Sequence, residues 1–239
     1  MLQIFRKELN GYLNSLIAYI VIVLFLVLTG LVLWVFPDSN VLDYQYAEMG
    51  AFFNLTPFIL LILVPAITMR SFSEEYKTGT IEFLKTKPIS SLDIVLGKFL
   101  AAWTLSILAI LPTLVYYFSI SNLGSPQGNI DTGAVIGSYF GLILLAGAFT
   151  AIGIMISSLT DNQVIAFILG AFVCYFIYDG VHQLSQLFKG TFQYYTDFIS
   201  LQFHYASLGR GVLDSRNLIY LTSVGAISIY LTAAILKRK

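Results

Sequence analysis

"TGAVIGSYFGLILLAGAFTAIGIMISSLT" (132–160) runs for 29 residues without a charged side chain. A helix of about 20 mostly apolar residues crosses the hydrocarbon core of a bilayer, so this stretch is long enough to span one. The pattern repeats outward in both directions. Uncharged, largely apolar stretches also cover 11–37, 49–69, 99–130 and 217–236, with a shorter one at 162–178. The chain is 57% hydrophobic and 11% charged, against roughly 25% charged in soluble domains. Too little polar sequence remains to cover six such helices in water. The expected fold is therefore an all-α, polytopic membrane protein forming a single domain over 1–239, with spans at about 14–36, 50–70, 96–120, 133–157, 162–180 and 216–236.

Charge distribution gives an orientation. Lys and Arg concentrate in cytoplasmic segments. Arg6 and Lys7 precede the first span, Arg70, Lys77, Lys85, Lys87 and Lys98 lie between the second and third, and Lys237, Arg238 and Lys239 follow the sixth. With six spans these regions share one side and hold ten of the thirteen basic residues. Both termini are thus expected in the cytoplasm. The opening segment is too long for a signal-peptide h-region and "LWVFPDS" (33–39) offers no small-residue cleavage site, so it reads as a retained span. Before it, Leu2, Phe5, Leu9, Tyr12 and Leu16 form an apolar stripe with Gln3, Arg6, Lys7 and Asn10 off it. That spacing suits an interfacial helix over 1–11, with Gly11 marking the bend, or a continuous first helix whose charges snorkel. Cys174 is the single cysteine, which excludes a disulfide framework and a thiolate metal site.

One block breaks the apolar pattern. "RSFSEEYKTGTIEFLKTKPIS" (70–90) holds seven charges in 21 residues, and 70–98 holds nine. At roughly 2.5–3.5 kcal/mol for each charge near the bilayer centre, this segment stays in water. Its local grammar is helix, break, helix. Residues 70–77 extend span two, Gly79 permits a turn, Thr80 can cap a short helix through Ile81, Phe83 and Leu84, and Pro88 stops it. Ser90 with Asp93 resembles a capping box opening the next helix. A short helix on two stalks reads as a docking surface with Phe72, Tyr76, Ile81, Phe83 and Leu84 as anchors, or as a solvated loop that fixes topology.

"FSEEYKTGTIEFLKTKPI" (72–89), followed by "VLGKF" (95–99), resembles the loop of exporter-type ABC transporter permeases of the second class. Phe72, Glu75, Gly79, Thr80, Glu82, Leu84, Pro88, Gly97 and Lys98 fall on that family's pattern, and the six spans and interfacial helix match it too. The resemblance implies that 71–95 is a coupling region whose helix sits in a cleft of a separate ATPase subunit, with ATP and Mg bound there and no cofactor in this chain. "FHYASLGRGVLDSRNLIYL" (203–221) resembles permeases of the gliding-motility group. That narrower likeness implies a bacterial inner-membrane subunit working with an ATPase, a second permease copy or paralogue, and an auxiliary gliding-motility membrane protein. Related permeases for copper-enzyme maturation share much of the same grammar.

Self-contained chemistry is not expected. The chain has no G-x-x-x-x-G-K-[ST] loop to cradle phosphates, so it cannot hydrolyse ATP alone, and it is expected not to be an enzyme. His182 and His204 lack metal-site spacing and read as interfacial side chains. Asp179 reads as a snorkelling residue at the outer edge of span five. Without other ionisable residues near the midplane, a secondary carrier is disfavoured, as is a lipid-modifying enzyme, which needs a clustered acidic or histidine site. Beyond the bilayer itself, no nucleic-acid partner is expected. Gly133, Gly137 and Gly141 recur every four residues, a spacing that permits close helix contact, either sliding or ordinary packing. Pro57, Pro65 and Pro112 are expected to bend spans two and three. The aromatic segment 181–215 reads as outer interfacial or re-entrant helices that close the outer mouth or meet a partner. There Asp214 can pair with Arg210 or cap the helix from Ser215, which carries Arg216.

Overall fold

The computed structural model describes residues 1–37, 40–44, 47–85 and 89–238, with side chains for all of these except Ile17, Asp43, Tyr44, Phe83, Leu84 and Lys85. Among the described residues every regular element is helical. Five helices are long and apolar enough to cross a membrane, and six if the bent pair Leu2–Leu13 and Ala18–Trp34 counts as one span. The chain is an all-α, multi-pass membrane protein.

Naming the helices in chain order, α1 is Leu2–Leu13, α2 Leu16–Trp34, α3 Val41–Tyr44, α4 Gly50–Thr68, α5 Ser73–Thr78, α6 Thr80–Lys85 and α7 Ser91–Ile110. A 3-10 turn at Leu111–Thr113 leads into α8, Leu114–Leu123; α9 is Thr132–Ser157 and α10 Gln163–Tyr175. A π turn at Phe176–Gly180 joins α10 to α11, Val181–Ser185, followed by α12 Thr191–Asp197, α13 Leu201–Leu208 and α14 Ser215–Arg238.

The long uncharged run becomes the axis of the bundle. Asp131 opens α9 by accepting the Ala134 N–H at 3.0 Å, as a first-turn acceptor should. Of its most apolar stretch 78% is buried within the protein, against 22% for α14. Helices α4, α7, α10 and α14 pack around α9, and α2 lies further out against α4. The outward faces stay apolar: Leu16, Tyr19, Ile20 and Val23 on α2 and Ile219, Ile227 and Tyr230 on α14 are exposed. Patches of that extent require lipid or protein, not water.

Three local features sharpen the expectations. The bend between α1 and α2 is 68°, but it falls at Asn14–Ser15, and Gly11 lies inside α1. Ile4 sets the orientation of α1 by packing on Gly97, where an added Cβ would come within 2.9 Å of the Ile4 side chain. The buried side of α1 is thus the Ile4 face, and Leu2 is exposed. Second, α4 continues through both Pro57 and Pro65. A proline at 57 leaves the Phe53 carbonyl without its helical donor, and the Tyr205 hydroxyl donates to it instead at 2.9 Å. At Pro112, by contrast, α7 gives way to the 3-10 turn. Third, span five runs past 180 as one apolar helix, Gln163–Ser185.

Candidate partner-docking site and the lysine junction beneath it

The polar block folds as helix, break, helix. Tyr76 accepts the Gly79 N–H through its carbonyl at 3.3 Å, and Gly79 ends α5 in the left-handed region at φ 71, where a glycine carries no Cβ penalty. Thr80 is the first residue of α6, and its hydroxyl lies 3.0 Å from that of Thr78. Ser90 does cap α7, accepting the Asp93 N–H at 3.1 Å and donating to the Asp93 carboxylate at 2.7 Å.

The side chains sort differently from the expected anchors. Phe72 is wholly buried and Ile81 is 7% exposed, so both are turned into the protein. Tyr76 is half-buried, and Glu75 points inward as well. What faces outward is Glu74, Lys77, Thr78, Gly79, Thr80 and Glu82. Phe83 and Leu84 have no described side chains, and Pro88 lies outside the described residues. Phe72 and Ile81 therefore seat the block on the bundle, and its exposed side is polar among the described residues.

Beneath the tip lies Lys98, which charge counting places among the water-exposed cations but which is 1% exposed. Its ammonium donates to Glu75 Oε1 at 2.8 Å, to Glu8 Oε1 at 3.1 Å and to the Ser71 carbonyl at 2.6 Å. All three donors of the ammonium are used. The Nζ also lies 5.0 Å from the Phe72 ring centroid. One side chain of α7 thus joins α1, the end of the α4 stalk and α5. A buried ammonium is tolerated only with such partners. The pairing spans 23 and 90 positions of sequence, so no local pattern signals it. Tyr12 adds a second link to Ser71, its hydroxyl 3.1 Å from the serine's. Burial pushes the Tyr12 phenol pKa up, against the lowering effect of the Ser71 bond, and the carboxylates of Glu8 and Glu75 add to the rise.

A third clamp comes from α9. Ser157 Oγ accepts the N–H groups of Phe72 and Ser73 at 3.1 and 3.2 Å, and donates to the Met69 carbonyl at 3.0 Å. Those are backbone groups left open where α4 passes into α5.

At the opposite end of the bundle, Gly137 and Gly141 of α9 receive α13 and the turn after it. A Cβ at Gly137 would lie 2.6 Å from the Gly211 carbonyl oxygen, and one at Gly141 would lie 2.6 Å from Leu208 Cβ. Gly133 meets only the Asp131 carboxylate, at 3.4 Å, and takes no part in this packing. Gly211 adopts φ 81 and lies against the backbone of Ala134. Asp214 acts as a cap, its carboxylate accepting the Arg216 N–H at 2.9 Å, while Arg210 Nε donates to the Ala206 carbonyl at 3.1 Å. No Arg210–Asp214 ion pair forms among the described residues, because α13 ends at Leu208 and the two are not on one helix face.

Asp179 and His204 are interior, and His182 is partly buried. Asp179 is 6% exposed, not snorkelling, because the π turn directs it inward beside Tyr178, with Gln183 Nε2 at 3.4 Å. His204 is fully buried, with Nδ1 2.8 Å from Asn217 Oδ1, Nε2 2.9 Å from the Phe198 carbonyl, and its ring stacked on Tyr220. His182 pairs with Asp197 at 2.6 Å, tying α11 to α12. No group of three or more potential metal ligands occurs among the described residues.

Residues 36–234 match the family model described as ABC-2 family transporter protein. No curated protein sequence matches the chain.

Proposed function

The chain belongs to the ABC-2 transporter family, the membrane component of ABC transporters, and on that premise we propose that α5, Gly79 and α6 form the coupling element that a separate ATPase subunit grips. Membership implies an ABC ATPase partner and a lipid environment. The observation that carries the finer reading is the exposed tip of Thr78, Gly79, Thr80 and Glu82 above a buried, charge-locked base. A solvated loop needs no such base. ATP hydrolysis belongs to the partner, and this subunit turns nucleotide-driven closure into movement of α4, α7 and α1. With the tip at the cytoplasmic side, both termini lie in the cytoplasm of a bacterial inner membrane. Two permease copies, or this chain with a paralogue, complete the assembly. We further propose that its work is export or mechanical work in gliding motility, supported by the likeness of 203–221, with an auxiliary membrane protein as an additional partner.

The test is co-purification of the chain with an ABC ATPase encoded beside it, followed by ATPase assays in nanodiscs. Glu82→Lys and Thr80→Trp should cut ATPase retention about tenfold while the permease stays folded, as loss of one central contact does. Undiminished retention in both variants would remove the tip from the interface.

A further inference from the structure

A cavity of about 360 Å³ opens between α1, the first turns of α2, the α4–α5 junction and α7, within the size range of small-molecule sites. Its wall is divided by chemistry. Ala18, Val21, Ala66, Ile67 and Leu105 make one side apolar, whereas three cations, Lys7, Arg70 and Lys98, and three anions, Glu8, Glu74 and Glu75, line the other. Lys98 is fully engaged. Two other polar atoms of these lining residues are not: Arg70 Nε, a donor, and Glu75 Oε2, an acceptor, are buried without a hydrogen-bond partner among the described residues. Unpaired buried groups of this kind are costly and call for an occupant.

The occupant is constrained by charge. A simple anion would satisfy Arg70 but would face three carboxylates, and a neutral apolar molecule would leave both atoms unpaired. A body with one anionic acceptor and one ammonium donor satisfies both, and its apolar part fits the opposite wall. We propose that this cavity binds the headgroup of a zwitterionic aminophospholipid. Its phosphate accepts from Arg70 Nε, its primary ammonium donates to Glu75 Oε2, and its glycerol end lies along Ala66 and Ile67. The lipid sits directly under the coupling element and shares Glu75 with Lys98, so occupancy braces the junction. The site goes beyond the proposed coupling role and does not require it.

The test uses the full chain without any ATPase, so its outcome is independent of partner docking. Protein in mild detergent is offered phosphatidylethanolamine, phosphatidylcholine and phosphatidylglycerol in equal amounts, and retained lipid is counted by native mass spectrometry. Phosphatidylethanolamine should be retained about tenfold over each of the others, the scale of one charged hydrogen bond, because choline has no N–H to give and glycerol no positive charge. Arg70→Gln and the cavity-filling Ala66→Trp should each lower that retention to a similar degree. Equal retention of phosphatidylglycerol, retention of phosphatidylcholine at the same level, or no retained lipid at all (a water-filled cavity) overturns the proposal. The comparison of lipids on the unmodified chain decides even where a variant fails to fold.

Discussion

Lys98 Nζ lies 2.8 Å from Glu75 Oε1, with the lysine side chain 2% exposed and the glutamate 12%. Two partners so withdrawn from water attract strongly, but each has also lost its hydration. The bond therefore matters less as a source of stability than as a constraint: neither charge can be left alone. Lys98→Met strands Glu75 and Glu8, and should lower stability by about 3–5 kcal/mol, as breaking a buried pair does. Adding Glu75→Gln to Lys98→Met should recover part of that loss. Thermal unfolding in nanodiscs reads both, and a Lys98→Met protein as stable as the parent would show that the junction is not a structural constraint.

The Tyr205 hydroxyl stands in for the amide that Pro57 lacks. Tyr205→Phe leaves the Phe53 carbonyl buried and unpaired, a loss of about 1–3 kcal/mol. In a Pro57→Ala background the helix amide returns, and the same Tyr205→Phe change should then cost much less. A double-mutant cycle with no coupling between positions 57 and 205 would count against this exchange of donors.

Gly137 and Gly133 lie one helical turn apart on α9 yet should respond oppositely to the same substitution. Gly137→Ala drives a methyl into the Gly211 backbone, which cannot yield like a side-chain tip, and should cost about 1–3 kcal/mol. Gly133→Ala meets only ordinary contact and should be neutral or stabilising by up to about 1 kcal/mol through helix propensity. Matching melting temperatures for the two variants would contradict the packing of α13 on α9.

The spans were readable from sequence because hydrophobic length is a local property. The 132–160 run announced α9 without reference to any other residue. The helix–break–helix grammar of 70–98 was readable for the same reason, since Gly79 and Ser90 act on their immediate neighbours. What escaped was every feature fixed by a distant partner. Lys98 looked like one more water-exposed charge because Glu8 and Glu75 reach it from other helices. Phe72 and Ile81 looked like outward anchors because an apolar residue in a polar segment carries no sign of which way it faces. Of the three glycines spaced four apart on α9, Gly137 and Gly141 are sites of close approach and Gly133 is not, and the spacing could not say that Gly211 and Leu208 would be the visitors. Pro57 marked a missing donor, and only the fold could supply Tyr205 as its replacement.

Ser157 gives α9 a mechanical character. At one end its hydroxyl pins the joint between α4 and α5 through Phe72, Ser73 and Met69. Near the other end Gly137 and Gly141 are wedged against Gly211 and Leu208. Both clamps sit on one unbroken helix of 26 residues, a rod about 39 Å long at 1.5 Å per residue. Under the proposed coupling role, a load applied at Thr80 or Glu82 would arrive at a pivot on the most deeply buried of the candidate spanning helices. Along that rod the two faces of the membrane share a single stiff strut.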